Sequence, residues 1–129
     1  MRYLTIEQIL LIHSMIVDET GGSHGVRDHA GILSVVALPQ QRAFGAELYP
    51  NIFQKAAVYA RGIIMTHPFI DGNKRTGMTT ASVFLEDNGY IIIAHEGEIE
   101  RFAVSVVVRK LVLENIARWF KKHSKKTRK

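Results

Sequence analysis

Two helix-length patterns lie end to end in the middle of this chain, and the six residues between them can continue neither. From Asn51 to about Thr66, Ile52, Ala56, Tyr59, Ala60, Ile63 and Ile64 recur at helical spacing. From Asn73 to Asp87 a second pattern places Met78, Ala81, Ser82 and Leu85 on one face, and Asn88-Gly89 ends it. Between them stands His67-Pro68-Phe69-Ile70-Asp71-Gly72. Pro68 disfavours helical geometry at the residue before it, so the first helix should end at His67. The chain is thereby committed to a pair of neighbouring helices joined by a tight loop. An imidazole sits at one end of that loop, and the N-terminus of the next helix at the other.

The rest of the sequence reads as further helices. Thr5 and Gln8 form a capping box ahead of the stripe Ile6, Ile9, Leu10, His13, Ile16 and Val17, which should stop before Gly21-Gly22. His13 lies on that stripe and reads as a hydrogen-bonded core histidine. Residues 21–29 form a Gly-rich loop, and Asp28 is placed to cap a short helix through Leu38. Pro39 to Pro50 is aperiodic: a plain connection, or a mobile segment lying over a site. Tyr90-Ile91-Ile92-Ile93 is a short apolar run, either a lone strand or a segment crossing the core. Two more helices follow at about Gly97–Val108 and Leu113–Lys122, burying Ile99, Phe102, Ala103 and Val106, then Leu113, Ile116, Ala117 and Phe120. The expectation is a mainly α single domain over residues 1–122, with at most a short β element and a basic tail at 123–129.

Composition narrows the function classes. At 129 residues and 47% hydrophobic content, one domain with a real core is expected. With no cysteine, disulfides and thiolate metal sites are excluded. No apolar segment has the length of a membrane span, the N-terminus lacks a signal-peptide layout, and a cytoplasmic location is expected. The net charge of +5 is uneven. Six of the 17 cations (Lys121, Lys122, Lys125, Lys126, Arg128 and Lys129) are terminal, which leaves 11 against 12 acids in residues 1–120. The body is near neutral, so direct nucleic-acid binding is not expected, and the tail reads as a frayed, solubilising end.

The loop carries the chemistry. His67 can act as a general base on a hydroxyl. Asp71 is a hard oxygen donor of the kind that holds Mg²⁺ together with phosphate oxygens and water. Gly72 lets the backbone approach a phosphate, and Asn73 with the N–H groups of residues 72 to 75 can form an anion nest at a helix N-terminus. Lys74 and Arg75 can neutralise charge on a transferring group. Phe69 should anchor the loop in the core. Taken singly, these residues have plainer uses. His67 could cap a helix, Asp71 could favour a helix dipole, and the two cations could be a solvated face. A base, a carboxylate and an anion cradle at this spacing together point to phosphoryl or nucleotidyl transfer.

The run His67-Pro68-Phe69-Ile70-Asp71-Gly72-Asn73-Lys74-Arg75 resembles the Fic signature, His-x-Phe-x-Asp/Glu-Gly/Ala-Asn followed by a basic segment. In detail it resembles the death-on-curing (Doc) toxin branch of the Fic/Doc superfamily. Adenylylating Fic enzymes most often read Gly-Asn-Gly-Arg with a second Arg three residues on. Here Lys74 replaces the second Gly and Met78 stands in place of the second Arg, as in the Doc branch, whereas Gly72 stands where Doc has Ala. The resemblance implies the Fic fold over most of the chain, with ATP as substrate and Mg²⁺ as cofactor. It also implies transfer of the γ-phosphoryl group to a Ser or Thr hydroxyl of a protein target, elongation factor Tu. Adenylyl transfer and a catalytically inactive nucleotide- or partner-binding domain remain the alternatives. A flap ahead of the signature docks the target in Fic relatives, which assigns that task to the Pro39–Pro50 segment, with Gln41, Arg42 and Phe44 as contacts. The self-inhibitory pattern of many Fic proteins, Ser/Thr-x-x-x-Glu-Gly/Asn, is not met. Glu96-Gly97 has Ile92 at the hydroxyl position and Glu114-Asn115 has Lys110. The resemblance therefore implies an antitoxin in trans, of the Phd kind.

Overall fold

A computed structural model describes residues 1–127. Among these, six α-helices enclose the core: α1 (Ile6–Thr20), α2 (His29–Ala37), α3 (Ile52–Thr66), α4 (Asn73–Asp87), α5 (Glu98–Val108) and α6 (Leu113–Lys122). Four strands of two or three residues complete it: β1 (Arg42–Ala43), β2 (Ala46–Glu47), β3 (Tyr90–Ile92) and β4 (Ser124–Lys126). The mainly α expectation holds.

α3 is the hub. Nine of its 15 residues are buried, so it is covered on nearly every side, by α4 and α6 most extensively and by α2 and α5 as well. Asn51 and Gln54 start it with a capping box. It meets α4 at Gly77, where an added Cβ would lie 2.7 Å from Ile64 Cγ1 and 3.0 Å from the Ala60 carbonyl oxygen. Only a residue without a side chain allows that approach. The N-terminal segment is tied in by buried polar bonds. The Leu4 N–H donates to the Tyr59 hydroxyl at 3.1 Å, and burial pushes that phenol up to about 12. Arg2 exchanges two backbone bonds with the Asn88 carboxamide at the end of α4, both at 2.8 Å.

Four local expectations change. Residues 90–93 neither stand alone nor cross the core. Tyr90–Ile92 pairs antiparallel with Ser124–Lys126, Ile91 opposite Lys125. The segment read as a frayed tail is thus held in the fold through Thr127, whose N–H donates to the Gly89 carbonyl at 2.8 Å. Arg128 and Lys129, the rest of that tail, lie outside the described residues. The Pro39–Pro50 segment is not irregular. After a turn of 3-10 helix at Leu38–Gln40, β1 and β2 form a hairpin with Phe44-Gly45 at its tip. Ser82 faces no core; it is half-buried at the rim of a groove between α1, α4 and α5.

Candidate active site

His67 ends α3 in a left-handed conformation, φ 50° and ψ 58°, with its own N–H donated to the Ile63 carbonyl at 3.2 Å. That turn ejects the imidazole into solvent instead of continuing the helix face inward. The exposed carbonyls at this helix end are met by Arg27. Its Nε donates to the His67 carbonyl at 2.7 Å and its Nη2 to that of Thr66 at 2.6 Å. A guanidinium here satisfies orphan acceptors and also favours the negative end of the helix dipole.

Arg27 belongs to a strap that crosses the signature loop. The N–H groups of Arg27 and Asp28 donate to the Pro68 carbonyl at 2.8 and 2.9 Å. Val26 bridges to Phe69, and the Ile70 N–H donates to the Gly25 carbonyl at 3.1 Å. Further along, the Ser23 N–H donates to Asp71 Oδ2 at 3.1 Å. Gly22 makes that approach possible, since a Cβ there would stand 2.6 Å from the same oxygen. No motif announces this strap, because half of its bonds are backbone to backbone and its side-chain bonds join residues 39 to 48 positions apart.

Beneath the loop, Phe69 is buried and stacks on His13, ring centroids 3.8 Å apart. His13 is itself 4% exposed, and its Nε2 bonds the Asp71 carbonyl at 2.8 Å, which makes that nitrogen the donor. Both residues behave as expected from the sequence, and His13 has the added task of fixing the backbone under Asp71. The Asp71 carboxylate accepts one N–H on each oxygen, from Gly72 at 2.9 Å and from Ser23. Each oxygen keeps a lone pair for a further partner. Among the described residues no group of three or more His, Asp or Glu side chains could enclose a metal ion. A lone exposed carboxylate fits Mg²⁺ that takes its other ligands from phosphates and water, and does not fit an all-protein cage.

Asn73 departs from the expected role. Its carboxamide is 8% exposed and turned back on the loop, accepting from the Phe69 N–H at 3.0 Å and donating to the Phe69 carbonyl at 2.9 Å. It closes the loop as a brace. The nest is therefore backbone. Gly72, φ 75°, precedes α4 without a side-chain cap. The first intrahelical bond runs from the Thr76 N–H to the Gly72 carbonyl at 2.9 Å, so the N–H groups of Asn73, Lys74 and Arg75 have no acceptor within the helix. Lys74 and Arg75 are exposed and border the α1/α4/α5 groove, about 720 Å³, floored by Ile12, Ile16, Met78 and Ala103. That volume is in the range of small-ligand sites. Among the described residues, no hydrogen bond joins the hairpin residues Gln41, Arg42 and Phe44 to the signature loop. Arg42 Nη2 donates to the Gly45 carbonyl at 2.8 Å, and the Gln41 carbonyl accepts from the Leu48 N–H at 3.0 Å.

The geometry is a solvent-facing imidazole at one helix end, an open helix N-terminus at the next, and a carboxylate between them. A sequence profile described as the Fic/DOC family matches residues 3–85, a span that contains all of it. The chain belongs to the Fic/DOC family. It is similar to the "Toxin Doc" of Mycolicibacterium smegmatis, 34% identical over 99 residues that make up 77% of this chain and 73% of the relative. It is also similar to the "Protein kinase doc" of Escherichia phage P1, 27% identical over 122 residues, 86% of this chain and 96% of that protein. These relatives put it in the Doc branch of the Fic/DOC family.

Proposed function

We propose that this Fic/DOC protein is a Doc-like toxin that moves the γ-phosphoryl group of ATP to a Ser or Thr hydroxyl of a protein, by resemblance elongation factor Tu, and so arrests translation in the cytoplasm. The observation that carries the reading is that exposed His67, at the end of α3, and the uncapped start of α4 lie at the two ends of one short loop. His67 takes the hydroxyl proton while the hydroxyl oxygen bonds to the γ-phosphorus. The bond from that phosphorus to the β–γ bridging oxygen breaks, and ADP leaves with the electron pair. The N–H groups of residues 73–75, with Lys74 and Arg75, face the charge that spreads over the phosphoryl oxygens. Mg²⁺, held through Asp71, would neutralise phosphate charge. Arg27, Asn73 and the strap keep His67 and the N–H groups in fixed relation, which is most of what phosphoryl transfer asks of a protein. The names of the relatives support the toxin and kinase parts of this reading, and a Phd-like antitoxin is the partner it requires.

The test uses ATP labelled in turn on the γ- and α-phosphorus, with purified elongation factor Tu as acceptor and intact mass of the product as a second readout. Label should move from the γ position only, and His67→Ala should lower the rate by roughly a hundredfold to ten-thousandfold. Transfer of α label would make the protein an adenylyltransferase. Undiminished transfer by the His67 variant would remove the general base from the scheme.

A further inference from the structure

Lys55 is the one charged side chain among the fully buried residues described, 1% exposed, and no part of the phosphoryl chemistry uses it. A buried ammonium persists only when its donors are met. Its Nζ donates to the Pro39 carbonyl at 2.9 Å and to Glu47 Oε1 at 2.9 Å, and stands 5.5 Å from the centre of the Tyr3 ring. The two oxygens come from opposite feet of the β1–β2 hairpin: Pro39 precedes β1, and Glu47 closes β2. Lysine in this position clasps the hairpin to α3.

The hairpin needs such a clasp. Its ladder holds only two residue pairs, Arg42 with Glu47 and Ala43 with Ala46, too few to fix an orientation unaided. Its tip also carries a local cost. Phe44 has φ 54° and Gly45 φ 80°, the twin left-handed turn in which Asn-Gly is the ordinary choice. A phenylalanine there is strained, yet its ring is fully exposed at 107% relative accessibility, without a packing reward inside the fold. A strained, exposed aromatic on a clasped hairpin suits contact with another protein. The clasp stands on α3, and α3 ends in His67. Lys55 and His67 are twelve residues apart along α3, about 18 Å at ~1.5 Å per residue, so one helix joins the hairpin's anchor to the proposed base.

We infer that Lys55 is a positioning residue for the protein substrate, setting through the Pro39 and Glu47 feet how the hairpin presents Phe44 relative to His67. The inference rests on the proposed transfer to a protein hydroxyl and on the expectation, from the family resemblance, that the Pro39–Pro50 segment docks that protein. Its test compares Lys55→Met, Glu47→Ala and Phe44→Ala with the intact chain, reading KM and kcat for elongation factor Tu, ATP affinity by calorimetry, and amide exchange at Leu48. Lys55→Met keeps the buried bulk while severing both feet, so KM for the protein should rise by about tenfold or more. ATP affinity should stay within about twofold, and the Leu48 amide should exchange faster. Glu47→Ala cuts one foot from the exposed side and should give a smaller shift in the same direction; it decides the matter alone if Lys55→Met does not fold. A Phe44→Ala effect on KM with none from the two clasp variants overturns the inference and leaves hairpin docking standing. An unaltered KM in Phe44→Ala removes hairpin docking, and this inference with it. Equal loss of ATP affinity and target recognition in Lys55→Met makes Lys55 a general stability residue, which also overturns it.

Discussion

Replacing Asn73 by Ala separates a brace from a phosphate ligand. Its carboxamide satisfies both backbone groups of Phe69, a residue 1% exposed. Truncation strands a buried N–H and a buried carbonyl, each at about 1–3 kcal/mol, so about 2–6 kcal/mol in all. Domains of this size have roughly 5–15 kcal/mol in total, so the variant should fold but lie near the edge. A midpoint fall of about 3–5 °C per kcal/mol puts the drop between about 6 and 30 °C. Asn73→Asp should be no milder. It keeps an acceptor for the Phe69 N–H but turns the donor into an oxygen aimed at the Phe69 carbonyl. Thermal unfolding and urea midpoints measure the loss, and ATP calorimetry well below the new midpoint measures the site. Affinity there should fall less than activity, because the N–H groups of α4 remain while the loop beneath them loosens. An Asn73→Ala variant that melts like the parent but no longer binds ATP would refute this reasoning and make the carboxamide a direct ligand.

Two further outcomes follow from the same structure. Asp71→Asn should abolish the Mg²⁺ dependence of nucleotide binding in calorimetry, and an unchanged titration would leave Asp71 as a loop-bracing residue. Because both carboxylate oxygens accept an N–H, the amide must present its NH₂ to one of them, and a stability loss of about 1 kcal/mol should accompany the effect. Glu98 is held below its ordinary carboxylate value of 4.5 by the His95 N–H and by His123. A depressed folded value means its contribution is complete above that ordinary value and is lost as pH falls through the folded one. Urea midpoints of the parent should therefore decline below about pH 4.5 more steeply than those of Glu98→Gln, and parallel acid limbs would exclude this pair from acid sensitivity.

The helices were legible because their signals are local. Thr5 with Gln8, Asp28, Pro68 and Asn88-Gly89 each act within a few residues, and the observed boundaries of α1, α2, α3 and α4 follow them. What stayed hidden is non-local or has no period. β4 is Ser-Lys-Lys, without apolar alternation, and its partner lies 34 residues earlier. The hairpin strands are two residues long, and Phe44 occupies the turn position where Asn would have announced it. The strap through Ser23, Gly25 and Arg27 joins residues some 40 positions apart, partly through backbone groups that carry no residue signature.

The signature was legible as a constellation, whereas the orientation of its Asn73 side chain was not. Read along the chain, Asn73 looks like the residue that meets the anion. In the fold its carboxamide is turned back on Phe69 and braces the loop, leaving the first N–H groups of α4 open. At the start of a helix an Asx side chain ordinarily caps its own N–H groups. Here it sits one position too late to do so and turns back to Phe69, while the preceding position is Gly72, which has no side chain to offer. Asp71 is spent on Gly72 and Ser23. Each polar side chain that could have quenched the first turn of α4 is thus engaged elsewhere. The N–H groups of residues 73–75 remain free for an anion because the loop keeps its own side chains away from them.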